Sequence, residues 1–426
     1  MWSLFSRGRK EDLSNYRPVS LTSILGKVFE MITKDHICGS PVRKIMQQGN
    51  QHGLVVGRSC LTNLVSFYDR VTKCLDAVEV DVVFLDFSKA FDTVTHPILI
   101  NILRGCDIDV YIVWWVATWL SSCTQRVVVD GLVSTWKDVG SGVPQGSVLG
   151  PVDFNIFISD LDAGVKRTLS KFVDDTKLWG EVHAPEGRER LQANLDRLEK
   201  WAVYNRMQYN KDKCRVLHLG QKNIQHTYWL GSDPLSSTEA ERDLGVLVDS
   251  KMNIRRQCNE TVSKANCTLS CISRCMTNRT KEVILPLCAA LVRLQLEYCV
   301  QFQVLYFKKD VDRLERVQRR ATHMVRGLQD ELYEGRLRDL DLFSLRKRRL
   351  RGDLVATYKS IRGMQQGIGD TLFTRAPLGV TRNNRHKLTE NRFWLDITKN
   401  FFVVRVAKIW NGLLREVVLS PTLEVF

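Results

Sequence analysis

Residues 80–87 read VDVVFLDF, a run too continuously apolar for a strand with one wet face. Such a segment has to be buried on both sides, which makes it a central strand covered above and below. A chain that contains it needs a sheet at its core, and the strand must reach water somewhere. It does so at Asp86, a carboxylate at the strand's end. Taken singly, a carboxylate there is more often a solvated end or a helix cap than a site.

Two further segments change that reading. Asp174 and Asp175 follow Lys171, Phe172 and Val173, and 169–179 reads as two short strands joined at the aspartates. Adjacent aspartates are common at hairpin tips because Asp tolerates turn conformations. Two like charges beside an apolar flank repel, however, and a bound divalent cation would relieve that strain. Between the acidic stations lies SGVPQGSVLGP, residues 141–151. Its glycines let backbone approach a flat ligand closely, and its one amide, Gln145, can hydrogen-bond a sugar or phosphate. A strand-end Asp, a Pro-Gln-Gly loop and a Val-Asp-Asp hairpin, in that order, rarely arise by chance. Two-metal phosphoryl transfer needs several hard anionic ligands converging on ions about 3.5–4 Å apart.

Composition limits the alternatives. The 426 residues exceed one hydrophobic core and suit two or three domains, and 44% hydrophobic content argues against wholesale disorder. Lys and Arg number 62 against 47 Asp and Glu, a net charge of +15 that attracts polyanions, usually nucleic acid. The 12 cysteines have no framework spacing, and no secretory signal opens the chain, so a reduced setting inside the cell is expected. Cys267, Cys271 and Cys275 recur every four residues on one helical face, and small buried thiols are the expected reading rather than a zinc site. The longest apolar stretch, 111–120, is too short to cross a bilayer.

The first residues, 1–12, are basic and show no folded pattern, and Pro18 argues for an extended segment over 15–21. Helical spacing appears at 24–32, 61–75, 112–120 and 148–161. Residues 188–207 place Leu191, Leu195, Leu198 and Ala202 on one face. Ser88 is a candidate cap for a helix beginning near Lys89, with Pro97 at the next break. Strands are expected at 126–130, near 133–139, and at 213–219. Beyond about residue 238 strand signals fade after 244–248, and helices dominate 258–328, with Pro286 separating two of them. Basic clusters follow at Arg319 and Arg320, at 346–349 and at Arg351.

These blocks resemble the reverse transcriptase of non-LTR retrotransposons (LINE elements), in the jockey-like and chicken-repeat-like groups. They are NYRPVSLTSILGKVFE at 15–30, QHGLVVGRSCLTNL at 51–64, FLDFSKAFDTV at 84–94, SGVPQGSVLGP at 141–151 and KFVDDTKLWG at 171–180. LEKWAVYNRMQYNKDKCRVLHLG at 198–220, ERDLGVLVD at 241–249, LERVQRRATHMVRGL at 314–328 and LFSLRKRRLRGDL at 342–354 follow. Relatives usually carry Ala at Val173 and an apolar residue at Asp153, so a buried Asp153 has to be paired or protonated.

The resemblance implies an α+β right-hand polymerase: fingers and palm over 1–237 with a mainly antiparallel sheet, a helical thumb over 238–330, and a basic, mostly helical region over 331–426. It implies that Asp86, Asp174 and Asp175, with the Phe87 carbonyl, bind two Mg²⁺ ions, for which Mn²⁺ can substitute. Phe91 falls at the sugar gate, which selects deoxynucleotides, and Gln145 and Gly146 line the nucleotide pocket. Arg17 and Arg58 are candidates for the triphosphate, Lys213 for protonating pyrophosphate with Lys211 close by, and Leu244 and Gly245 for the primer-grip turn. The implied partners are an RNA template, a DNA primer or target and dNTPs, in nucleus or cytoplasm, with no membrane; the oligomeric state stays open. The upstream endonuclease domain of complete LINE proteins is absent, which reads as a fragment. The first alternative is a catalytically dead, retroelement-derived nucleic-acid-binding protein. A two-metal nuclease also uses clustered carboxylates, yet has no use for Phe91 or the Pro-Gln-Gly loop.

Overall fold

Val80–Leu85 is a strand with every side chain buried, as its sequence demands. The one charge in it, Asp81, is also fully buried, and the Tyr228 hydroxyl donates to its carboxylate at 2.8 Å. That bond pushes the Tyr228 hydroxyl well above its usual range, after burial itself, and leaves Asp81 with a partner. The strand is third in a five-stranded sheet, ordered Ser236–Thr238, Arg215–Leu219, Val80–Leu85, Asp175–Glu181 and Leu169–Phe172. The last two form an antiparallel hairpin with Phe172 opposite Asp175.

The computed structural model describes residues 2–6, 16–20, 22–39, 42, 50–129, 132–165, 168–302, 308–364, 372–376, 387–390 and 393–426. They fall into two compact units. The first comprises Met1–Ser59, Asp81–Val216 and Ile224–Ser237, and the second Cys60–Val80, Leu217–Asn223 and Thr238–Phe426. The chain is α+β, as the resemblance implies. Among the described residues no helix is long and apolar enough to cross a membrane.

In the first unit, helices His96–Arg104, Val110–Ser121, Gly150–Phe157 and Pro185–Tyr204 contribute to one core with the strands. Leu191, Leu195, Leu198 and Ala202 are all buried, so the amphipathic face lies where the spacing puts it. Trp115 and Trp119 stack at 6.0 Å, one helical turn apart. Three expectations are corrected. Residues 2–6 are not patternless: Trp2–Ser6 pairs antiparallel with Tyr16–Ser20, a long-range choice that local composition does not show. The helix Ala90–Thr93 is capped at Lys89 in the left-handed region, not by Ser88, and no side chain caps it. The strands expected over 126–139 are reduced to two-residue pieces, at Thr124–Gln125, Val128–Val129, Leu132–Val133 and Lys137–Asp138.

The second unit holds the hairpin Ala240–Asp243 with Val246–Asp249 and a largely helical remainder. Its core gathers Ala265, Leu269 and Ile272 of helix Arg255–Cys275 with Leu314 and Val317 of helix Lys308–His323. Cys267, Cys271 and Cys275 do share a face, but the exposed one, contrary to the burial expected. Pro286 does not separate two helices. It lies inside Lys281–Leu287, which runs on into the π-helical turn Cys288–Arg293. The basic run at 346–349 is also only partly solvated. Arg349 is buried, pulled down to about 10 by burial and by neighbouring Arg405, and Arg348 pairs with Glu297.

Asp153 is the most costly residue of the first core. It is fully buried in helix Gly150–Phe157, and neither carboxyl oxygen has a hydrogen-bond partner. Burial, then the nearby Glu30 charge, hold its pKa well above the carboxylate range. Glu30 is itself buried but accepts the backbone N–H groups of Val148 and Leu149. A raised folded-state pKa means that the folded chain keeps a proton the unfolded chain gives up, so stability falls as pH climbs above the ordinary carboxylate range. Asp153→Leu is therefore expected to stabilise the fold by about 1–3 kcal/mol near neutrality. Urea unfolding should show that gain growing from pH 5 to pH 8, and a gain independent of pH would contradict a protonated Asp153.

Candidate active site

Asp86 stands one residue beyond the buried strand, and its backbone is fixed before its side chain is. The Asn210 N–H donates to the Asp86 carbonyl, and the Ser88 N–H donates to the Gln208 carbonyl, both at 2.8 Å. Phe87 and Tyr209 between them make an antiparallel bridge, with their rings stacked at 4.4 Å. Those flanking bonds make 87 and 209 a non-hydrogen-bonded pair, so the Phe87 carbonyl is turned away from segment 208–210. The Asp86 carboxylate receives the Lys213 ammonium at 2.8 Å. Lys211 pairs with Asp233 instead, which separates two lysines that are only two positions apart.

The glycine-rich loop is stitched to the turn that follows Asp86. Val143 N–H donates to the Phe91 carbonyl and Gly142 N–H to the Val94 carbonyl, both at 2.7 Å. The His96 ring meets the Gly142 carbonyl at 2.7 Å, and the Ser141 hydroxyl donates to the Asp92 carbonyl. Gly142 has φ +93, and a Cβ there would fall 2.9 Å from Asp92 Cα, so only glycine fits. Phe91 is half-buried and stacks on Phe154 of the helix after the loop, at 4.5 Å. The Gln145 carbonyl accepts the Ser20 N–H, and Gly146 packs against Val19. That sets strand Tyr16–Ser20, and with it the backbone of Arg17, against the Pro-Gln-Gly turn. The Arg17 side chain lies outside the described residues.

The acidic hairpin turns on Val173, which has φ +58. Its loop is two residues long, Val173 and Asp174, and glycine usually takes the left-handed first place. A β-branched residue there is strained, at a cost of about 1–2 kcal/mol. Segment 50–52 runs alongside and holds the turn. The Lys171 N–H donates to the Asn50 carbonyl and the His52 N–H donates to the Lys171 carbonyl. Gln51 grips Val173 from both sides. Its Oε1 accepts the Val173 N–H at 2.8 Å, and its Nε2 donates to the Val173 carbonyl at 3.2 Å. The same Oε1 accepts the Gly53 N–H, and Asn155 donates to the Gly53 carbonyl at 2.9 Å. Lys171, buried in the hairpin, is paired with Asp162 at 2.7 Å. Burial draws its ammonium below its usual range, against the pull of Asp162.

Arg58, expected near a triphosphate, is half-buried and donates to the Gln51 carbonyl, and burial lowers its guanidinium below the usual range. Leu244 and Gly245 form the tip of the hairpin in the second unit, at φ +45 and +83, and the Tyr298 hydroxyl donates to the Leu244 carbonyl. Gln51, Asn155 and Asp162 were not among the candidates from sequence. Their partners lie on other segments, so no local period marks them, although Gln51 opens one of the blocks that carry the resemblance, QHGLVVGRSCLTNL.

The donors at the two acidic stations, three carboxylates and a carbonyl, suit a hard cation. Their strands are neighbours in the sheet: Asp86 follows one, and Asp175 opens the next. Among the described residues, however, no three His, Cys, Asp or Glu side chains cluster as a cation would need. The Lys213 ammonium is the ionic partner of Asp86, beside where such a cation would lie.

Comparison with known proteins identifies the family and several relatives. The family model described as reverse transcriptase (RNA-dependent DNA polymerase) matches residues 8–247. The RNA-directed DNA polymerase from mobile element jockey of Drosophila melanogaster is 29% identical over 269 residues, covering 58% of this chain and 28% of that protein. The probable RNA-directed DNA polymerase from transposon BS of the same fly is 25% identical over 337 residues, covering 74% and 36%. The chain thus spans only about a third of the length of these curated relatives. Among solved structures, telomerase of Candida tropicalis is similar at a TM-score of 0.45 and 12% identity, covering 87% of this chain and 60% of that one.

Gly53 shows how tightly the hairpin is held. A Cβ at Gly53 would fall 2.4 Å from the Val173 nitrogen and 2.5 Å from its Cγ2, whereas one at Gly39 would meet nothing within 4 Å. Gly53→Ala is therefore expected to cost about 1–3 kcal/mol in chemical denaturation, the range for overpacking. Gly39→Ala is the matched control, and equal effects of the two changes would contradict the close approach.

Proposed function

The chain belongs to the reverse transcriptase (RNA-dependent DNA polymerase) family, and from that premise we propose that it adds deoxynucleotides to a DNA 3′-hydroxyl on an RNA template. The observation that carries the reading is the pair of neighbouring strands, one followed directly by Asp86 and the other beginning at Asp175. Reverse transcriptases generally use divalent metal ions. Here Asp86, Asp174 and Asp175, with the Phe87 carbonyl, would hold two Mg²⁺, or Mn²⁺, which supply Lewis-acid stabilisation of the attacking and leaving oxygens. Lys213 holds a proton beside Asp86 and is the candidate donor to departing pyrophosphate. Phe91, backed by Phe154, presents a rigid edge where a sugar would lie, and Gln145 and Gly146 would flank the nucleotide. Arg17 and Arg58 would meet the triphosphate.

Template and primer would be held through phosphates by the exposed Arg316, Arg319, Arg346, Lys347 and Arg351 of the second unit. Leu244 and Gly245 would support the primer end. In this reading residues 1–237 are fingers and palm, 238–330 a thumb and 331–426 a basic C-terminal region, working inside the cell. Asp153 and the incompletely gathered carboxylates favour a second reading, a nucleic-acid-binding relic without polymerase activity.

Primer extension on an RNA template with Mg²⁺ decides between them. The wild-type chain should extend the primer, and Asp174→Asn should lose roughly 10²- to 10³-fold or more in rate while folding normally, the scale for losing one preorganised electrostatic group. Salt-sensitive RNA binding without extension by the wild type would establish the relic. Phe91→Ala should raise ribonucleotide incorporation by roughly 10- to 100-fold, the range for discrimination by pocket shape. Unchanged sugar selection would remove Phe91 from the gate.

A further inference from the structure

We propose that Gln51 is the positioning residue of the acidic hairpin, setting the aim of Asp174 and Asp175 through the backbone of Val173; the proposal rests on the reading of those aspartates as site residues. A side-chain amide offers one acceptor and one donor group, and Gln51 uses both on the same residue. Val173 is the strained position of the turn, at φ +58, and strained backbone persists only where its surroundings over-determine it. Gln51 does so from outside the hairpin. The grip is then fixed at its own root. The backbone of segment 50–52 is bonded to Lys171 on either side, Arg58 donates to the Gln51 carbonyl, and Gly53 shares Oε1 while leaving no room for a side chain against Val173.

Gln51 acts one residue away from Asp174, by holding the N–H and C=O of Val173. Asn155 extends the support to the helix that also carries Phe154, by its bond to the Gly53 carbonyl. The turn that aims the aspartates and the ring that backs Phe91 are therefore tied to neighbouring residues of one helix.

The test compares Gln51→Met, which keeps the length and loses both hydrogen-bonding groups, with Gln51→Glu, which keeps acceptors and loses the donor. In the metal-free protein, amide hydrogen exchange at Val173 should quicken by about ten-fold or more in Gln51→Met, because exchange reports local opening. Gln51→Glu should lie between Gln51→Met and wild type. In primer extension, Gln51→Met should lower kcat and raise the Mg²⁺ concentration for half-maximal rate, with KM for dNTP changed by less than about three-fold. Leu269→Ala, a change in the separate core of the second unit, should lower the melting temperature without moving the Mg²⁺ dependence. Unchanged Val173 exchange in Gln51→Met, or a Mg²⁺ dependence that matches Leu269→Ala, would overturn the proposal. A wild-type chain that extends no primer sinks the polymerase reading, and the exchange measurement still decides the grip.

Discussion

A strand buried on both faces must have its backbone bonds satisfied by neighbouring strands and its side chains covered by helices, and its end is the first place it can carry a charge into water. Val80–Leu85 is that strand. Arg215–Leu219 lies on one side of it and Asp175–Glu181 on the other, so its position brings a lysine-bearing segment and an acidic hairpin into the same sheet. Lys213 then reaches Asp86 from just before one neighbour, and Asp175 begins the other. The loop 141–151 reaches the same region by bonding to the backbone of 91–94, through its own backbone at Gly142 and Val143 and through the Ser141 hydroxyl. Much of the site is thus backbone geometry, with the functional side chains projecting from it.

That geometry carries strain at one point. Val173 sits where glycine would be at ease, and the hairpin keeps it there through bonds from a segment about 120 positions earlier in the chain. The buried Lys171–Asp162 pair fixes the preceding strand in the same way. Breaking either partner would leave a buried charge uncompensated, which is costly. Asp153 shows the opposite case, a buried acid with no hydrogen-bond partner, which burial pushes toward its neutral form.

The elements that could be read from sequence were those with a local period or a steric demand. The central strand, the 185–204 helix with its Leu191, Leu195, Leu198 and Ala202 face, and the hairpin at 169–181 all follow from such signals. The four-residue spacing of Cys267, Cys271 and Cys275 showed a shared face but not which face; Ala265, Leu269 and Ile272 took the inner one. Ser88 had the chemistry of a cap, yet the chain enters the next helix through a left-handed Lys89. Trp2–Ser6 became a strand only through its partner. Gln51 was missed for a similar reason, since an amide that reads a distant backbone leaves no trace in its neighbours. For Asp86, Asp174 and Asp175 the order of the blocks was legible, while the distances between carboxylates were not.

The central claim is that Asp86 and the Asp174–Asp175 tip serve one cation site. Iron-directed cleavage measures this directly: Fe²⁺ replaces Mg²⁺, and hydroxyl radicals made at the bound ion cut the nearest backbone. The account predicts two sets of cuts in the same protein, around Asp86 and around Asp174, both lost in Asp86→Asn. Cuts at one station that persist when the other is neutralised would contradict it.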